Sequence, residues 1–429
     1  MKKLGASRAA RATAAMDMKA MAASERTGEQ PYGWVIVGVA TLALALGFGA
    51  GATVSVLMAP LEQEFGWPRA DISMAYTMHT IGAAIGGLFW GGLSDRIGAR
   101  KIGFIGAVAM AVCLAALKWQ NSLWQLYALY FLIGGIGFAA LFTPLVALTG
   151  LWFSARKGLA IGIVTAGGAI GQGIVPYVER LLITDLGWRD AMLYLGAGYF
   201  VLLFPLIFLV KPAPSSAHAS GQIDQSDDNL WHVPYAVTIP WLALAGLFCC
   251  ICMAVPLVHL VPLGIDLGCT PQTAAGLLLA LMVTGVFGRL FFGWLADRVG
   301  GLSSYFLASL AQTSVIFFFT QTRDITTLFQ LSILFGFGFA GVMTCLMICA
   351  REAAPLRLSG TAMAVVTTAG WIGMGAGSYQ AGYFYDLSAS YVLSYANGAI
   401  AGILNLVVVA ALFWYRRAYA ARPAPLANV

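Results

Sequence analysis

The chain has 429 residues, 60% of them hydrophobic and 10% charged, and its mean hydropathy is +0.81. Soluble domains carry roughly 25% charged residues, so these figures exclude a water-soluble globular protein and point to an all-α membrane protein. The net charge of +6 then reports topology, and no nucleic-acid partner is expected.

In chain order, residues 1–31 are basic, small and interrupted by polar side chains. They lack the continuous apolar core of a secretory signal and read as a cytoplasmic tail. Apolar runs follow from Tyr32 to Arg416, and at ~20 residues per crossing they fit about twelve transmembrane helices. The expected spans are 33–58, 71–93, 102–118, 123–150, 158–180, 189–210, 237–264, 271–295, 302–320, 325–350, 359–384 and 391–415. Residues 32–210 and 237–416 form two six-helix bundles, joined by a linker at 211–236 whose Pro, Ser and Asp content keeps it in water. Residues 417–429 form a short tail. The seven cysteines lie almost all inside the spans, as in "CCIC" at Cys249–Cys252, and read as packing residues, with no metal or cofactor expected.

With both ends inside, 18 of the 24 basic residues fall on the cytoplasmic side, five fall outside and Arg289 is left over. That is the positive-inside pattern of a multi-pass protein in the cytoplasmic membrane.

A repeat fixes the architecture. "GGLSDRIG" (Gly91–Gly98) returns as "GWLADRVG" (Gly293–Gly300), 202 residues later. "KGLAIGIVTAGGAIGQG" (Lys157–Gly173) pairs at the same shift with "SGTAMAVVTTAGWIGMG" (Ser359–Gly375). Two distant matches at one offset imply parallel six-helix repeats, an arrangement that encloses a site at the repeat interface and exposes it to each side in turn. The glycine runs follow no strand, and their spacing is that of closely packed membrane helices.

The "GxLaDRxG" turn, its echo and the 6+6 layout resemble the major facilitator superfamily over essentially residues 32–416. "YGWVIV" at Tyr32, "WFSARKGLAIGIVTAGGAIGQ" from Trp152, "VPLVHLVPLGIDLG" from Val255 and "GRLFFGWLADR" at Gly288 narrow the resemblance to the monocarboxylate porter and oxalate:formate antiporter branch. The superfamily resemblance implies a conformational latch at Asp95, Arg96, Asp297 and Arg298. The branch implies carboxylate binding by an Arg in helix eight, here Arg289. It is preceded by 21 uncharged residues, Gly268–Gly288, and lies roughly 12 Å inside the membrane end marked by Asp297 at 1.5 Å per residue. A guanidinium fork suits a carboxylate.

Other candidate site residues are His259, whose helix is expected to break between Pro256 and Pro262, His79 and Tyr76 on one face of helix two, Trp371 in helix eleven, and Gln172. No Asp or Glu is expected mid-membrane, which leaves the histidines as titrating groups near neutral pH. Two features depart from the branch. Gly285 replaces the Asp that precedes the helix-eight Arg in animal porters, and the chain has no Lys or Arg between Arg357 and Arg416, so a monoanion is favoured.

The expected function is proton-coupled secondary transport of small organic monocarboxylates by alternating access, carried out by a monomer. The partners are the anion, protons or a counter-anion, and the lipid bilayer. Organic-anion exchange, aromatic-acid or drug transport, and a ligand-sensing receptor are the alternatives. A membrane enzyme is not expected, because the spans hold no paired carboxylates, HExxH or GxSxG.

Overall fold

The computed structural model describes residues 31–153, 156–213, 230, 231, 233–355 and 358–420. Residues 1–30 and 421–429 of the two expected tails, Arg357 and most of the linker therefore lie outside the described residues, while residues 417–420 of the expected tail belong to the last helix. Twelve long helices follow in order: α1 Tyr32–Phe65, α2 Arg69–Ile97, α3 Ala99–Trp119, α4 Leu123–Trp152, α5 Lys157–Leu186, α6 Trp188–Phe208, α7 Tyr235–Asp266, α8 Pro271–Val299, α9 Gly301–Thr320, α10 Ile325–Glu352, α11 Ser359–Ser388 and α12 Val392–Ala420. Helices dominate because a chain inside hydrocarbon must satisfy its own backbone polar groups. We call the end holding Tyr32 and the last turn of α12 the near face, and the opposite end the far face.

Among the described residues ten helices are long and apolar enough to cross a membrane; α2 and α11, rich in Gly, Ser and Thr, are not among them. These two pack against each other across the seam between the halves, where Thr77 Oγ1 donates to the Gly375 carbonyl at 2.8 Å.

The duplication is visible in the backbone. The positive-φ residues described are Gly66, Gly98, Gly187, Gly268, Gly300 and Ala389. They form three pairs, 66/268, 98/300 and 187/389, each separated by the same 202 residues. Close packing repeats as well: a Cβ on Gly171 would strike the Ala45 carbonyl of α1, and one on Gly373 would strike the Leu247 carbonyl of α7. Small residues here let backbones touch, a means of membrane-helix association that needs no hydrophobic effect.

Three expectations are corrected. Helix α1 continues to Phe65 instead of ending near 58, so it carries Glu62 and Glu64 at the far face. Helix α5 continues to Leu186, which places Glu179 nearly two turns inside the helix with 0% exposure, against the expectation of no buried acid. Polar residues near a span end hid both extensions. Helix α7 is continuous through Pro240, Pro256 and Pro262, because neighbouring helices compensate the missing backbone donors.

Candidate functional site

Helix α8 presents two faces. Gly285 and Gly288 meet α10, while Leu279, Met282 and Arg289 meet α5 of the other half. The tight α8–α10 contact thus turns Arg289 into the seam, where its Nη1 donates to the Thr165 carbonyl at 3.2 Å. Its Nε is buried and has no acceptor among the described residues. Arg289 lies ten residues from the near end of α8, about 15 Å at 1.5 Å per residue. The equivalent position at the repeat offset is Gly87, so the cation occupies only one of the two related seams.

Farther from the near face the seam is aromatic. Trp371 of α11 stacks on Phe48 of α1 (centroids 6.3 Å apart) and meets Phe138 of α4 edge-on at 5.8 Å. Phe142 stacks on Phe138 at 5.2 Å. Phe48, Phe142 and Trp371 are each only partly buried. Phe138 ends a π-helical segment, Ile133–Phe138. Such wide turns occur often at functional sites and leave carbonyls outside the regular ladder, and Trp90 Nε1 donates to the one at Gly135 (2.8 Å).

The other candidates divide between this cluster and the far face. His79 is 3% exposed and lies between Tyr76 (6.0 Å) and Phe138 (5.7 Å), its Nδ1 unpartnered. Gln172 is 7% exposed, inside the bundle. His259 belongs to the far-face closure and is 0% exposed. Its Nε2 meets the Ser378 carbonyl at 2.9 Å and its Nδ1 meets Tyr391 Oη at 3.1 Å. The carbonyl can only accept, so Nε2 carries the proton and Nδ1 accepts from the phenol.

Tyr391 Oη also accepts from Arg69 Nη1 at 3.0 Å. Arg69 pairs with Asp266 of the other half through both terminal nitrogens (2.6 and 2.9 Å) and with Glu62 through Nε at 3.0 Å. Asp386 caps the start of α2, accepting from the backbone N–H groups of Arg69 and Ala70. Gln272 Nε2 donates to Thr184 Oγ1 at the repeat-related seam. Of the expected latch residues, Arg96, Asp297 and Arg298 are exposed and make no ion pair among the described residues. Arg298 lies over the Trp294 ring at 4.4 Å. Asp95 is in α2, and its side chain lies outside the described residues.

The sequence reading missed Phe48, Phe138, Phe142 and the Arg69 cluster. The "IGGIGF" run around Phe138 is a usable signal, whereas in the sequence Arg69 is only one more positive charge near a span end.

Two matched helical halves that meet at a seam holding a cation and an aromatic wall define a multi-pass membrane transporter. Residues 39–378 match the Major Facilitator Superfamily. The chain is 30% identical over 304 residues to "Monocarboxylate transporter 12-B" of Danio rerio, a match covering 62% of each protein. It is 25% identical over 353 residues to "Uncharacterized MFS-type transporter YcxA" of Bacillus subtilis (strain 168), covering 78% of this chain and 84% of that one. Among solved structures, a bacterial homolog of the human lysosomal transporter Spinster, in an inward-facing and occupied conformation, superposes with a TM-score of 0.71 at 16% identity. That match covers 93% of this chain and 100% of that one. The chain belongs to the major facilitator superfamily, and within it is similar to proteins named as monocarboxylate transporters.

Proposed function

We propose that the protein is a secondary transporter of small organic monocarboxylates, with Arg289 as the carboxylate anchor. The observation that carries this reading is a guanidinium at the seam with a buried Nε that has no acceptor. A cation in hydrocarbon is costly unless paired, and a carboxylate supplies a planar acceptor for its fork. A single such cation suits a monoanion. Phe48, Phe142 and Trp371 suit an acid with an apolar or aromatic body. The likeness to a relative named as a monocarboxylate transporter supports the substrate class.

By the positive-inside bias, the near face is cytoplasmic and the closed far face is external. The conformation is then inward-facing, with Asp95, Arg96, Asp297 and Arg298 closing the near side in the opposite state. Transport is coupled to protons, and the protein works in the cytoplasmic membrane as a monomer.

The test is uptake of labelled acids into proteoliposomes, from formate to an aromatic acid. Arg289→Ala removes one partner of a desolvated charge pair, a loss of ~2–5 kcal/mol, so uptake falls by about 30-fold or more. Arg289→Lys fails as well because it loses the fork. Uptake retained by both variants removes Arg289 from the site.

A further inference from the structure

Helices α1 and α5 pack in a regular ladder: Gly171 lies against Ala45 and Val175 against Gly49. Glu179 is the next residue of that face on α5, and the corresponding step on α1 is Thr53. Thr53 keeps a helical backbone (φ −55°, ψ −31°), and α1 runs on through it to Phe65. An acid of 0% exposure therefore faces α1 at Thr53 inside one half, away from the Arg289 site. Both its carboxyl oxygens are buried without a hydrogen-bond partner among the described residues.

Its surroundings decide which form of the acid fits. Helix α1 brings the Thr53 hydroxyl, α4 brings Tyr130 and α6 brings Tyr199, both tyrosines being within electrostatic reach of Glu179. The charged neighbour is Arg180, on its own helix, and α8 faces this stretch of α5 with Leu279 and Met282 at Gly173. The Thr53 hydroxyl donates to the Ala50 carbonyl at 2.7 Å, so the proton in the 2.7 Å Thr53–Tyr130 contact comes from Tyr130. Tyr199 donates to the Leu46 carbonyl at 2.8 Å. Both phenols have thus committed their protons elsewhere and have none to give Glu179. A carboxylate here would find no hydroxyl donor, whereas a neutral carboxyl brings its own.

A far-face cavity lies one turn away. Ile183, four residues beyond Glu179, lines this space of about 500 Å³ together with Arg180, Pro60, Gln63, Ile265 and the acid Glu64, whose carboxylate is paired with Arg189 at 2.7 Å. That cavity sits where α1 and α5 of one half meet α7 of the other, so a shift between the halves reshapes it.

We propose that Glu179 is the proton-carrying group of this transporter. Its carboxylate takes a proton from water in the far-face cavity, the neutral acid is enclosed in the conformation seen here, and the proton leaves to water when the halves move. The assignment rests on the transport reading above, but the two fail separately. In proteoliposomes with an inward proton gradient of one pH unit, the wild-type protein accumulates its acid up to about tenfold. Glu179→Gln, which mimics the neutral acid, abolishes that accumulation while substrate-for-substrate counterflow stays within about twofold. Glu179→Asp restores part of the gradient response. Thermal unfolding of both variants is followed in parallel; should Gln disturb the fold, Asp decides, because a retained carboxyl must retain coupling.

Gradient-driven accumulation unchanged in Glu179→Gln overturns the proposal. So does a wild-type protein that carries the acid without responding to the gradient, an outcome that leaves Arg289 in its role. Infrared spectroscopy gives a readout independent of substrate: a neutral-carboxyl band that disappears in Glu179→Gln supports the assignment, and absence of that band in the wild-type protein overturns it.

Discussion

The far and near ends of the seam use charge in opposite ways. At the far face, Arg69 is 6% exposed and its guanidinium reaches Asp266, Glu62 and Tyr391, with the Tyr385 ring 3.9 Å from its centre. Toward the near face, Arg289 is also largely enclosed but spends one donor on a carbonyl and leaves its Nε unanswered. A fully satisfied cation holds two surfaces together, whereas an under-satisfied one keeps donors that the fold does not answer. One residue type can thus be a clasp or, on the transport reading proposed above, a receptor, according to how many acceptors the fold supplies.

Four measurements break or sharpen that contrast. The largest effect is expected at Arg289, where alanine lowers uptake by about 30-fold or more without loss of the folded protein. An equal loss of thermal stability and of uptake would make it another clasp.

Next comes Arg69→Ala, which leaves Asp266 and Glu62 without their common cation. Breaking such a pair costs about 3 kcal/mol or more, so the far face should open. Cys269, 6% exposed and three residues after Asp266, should then react with an impermeant maleimide about tenfold faster in a background lacking the other cysteines. An unchanged labelling rate places the closure elsewhere.

Arg298→Ala should lower turnover several-fold because it removes a contact of the other state. Its stability in the present state should stay within ~0.5 kcal/mol, as for an exposed side chain with few ties. A marked loss of stability would show that the near face is already latched.

The smallest effect is at Asp324, which caps α10 at the far face. Hydrogen bonds from the Thr327 hydroxyl and N–H hold its carboxyl below its ordinary range. A lowered folded-state value stabilises above the ordinary range, and the benefit is lost as pH falls through the lowered value. Hydrogen exchange in the first turn of α10 should therefore quicken only at acid pH, and Asp324→Asn should flatten that dependence.

The twelve helices, the parallel repeat and the family could be read from the sequence because each leaves a long or recurrent mark: hydropathy over ~20 residues, or a motif repeated at 202. Arg289 was legible for a related reason, since a charge stands out within an apolar run. Glu179 and Glu62 were not, because they lie near the expected span ends, where one extra turn of helix decides whether an acid is in water or in protein. The break expected beside His259 is absent, because prolines do not by themselves interrupt a helix packed among neighbours; α7 continues and the ring is held by Ser378 and Tyr391. The aromatic wall was invisible because Phe48, Phe138 and Phe142 lie far apart in sequence, and a phenylalanine facing a seam is spelled like one facing lipid.

The modest oiliness of α2 and α11 has its own consequence. A helix that spends part of each working stroke beside water and part against a partner cannot be as greasy as one that only meets lipid tails, or the passage would never wet. Counting greasy segments in such a protein will therefore tend to overlook the helices that line its seam.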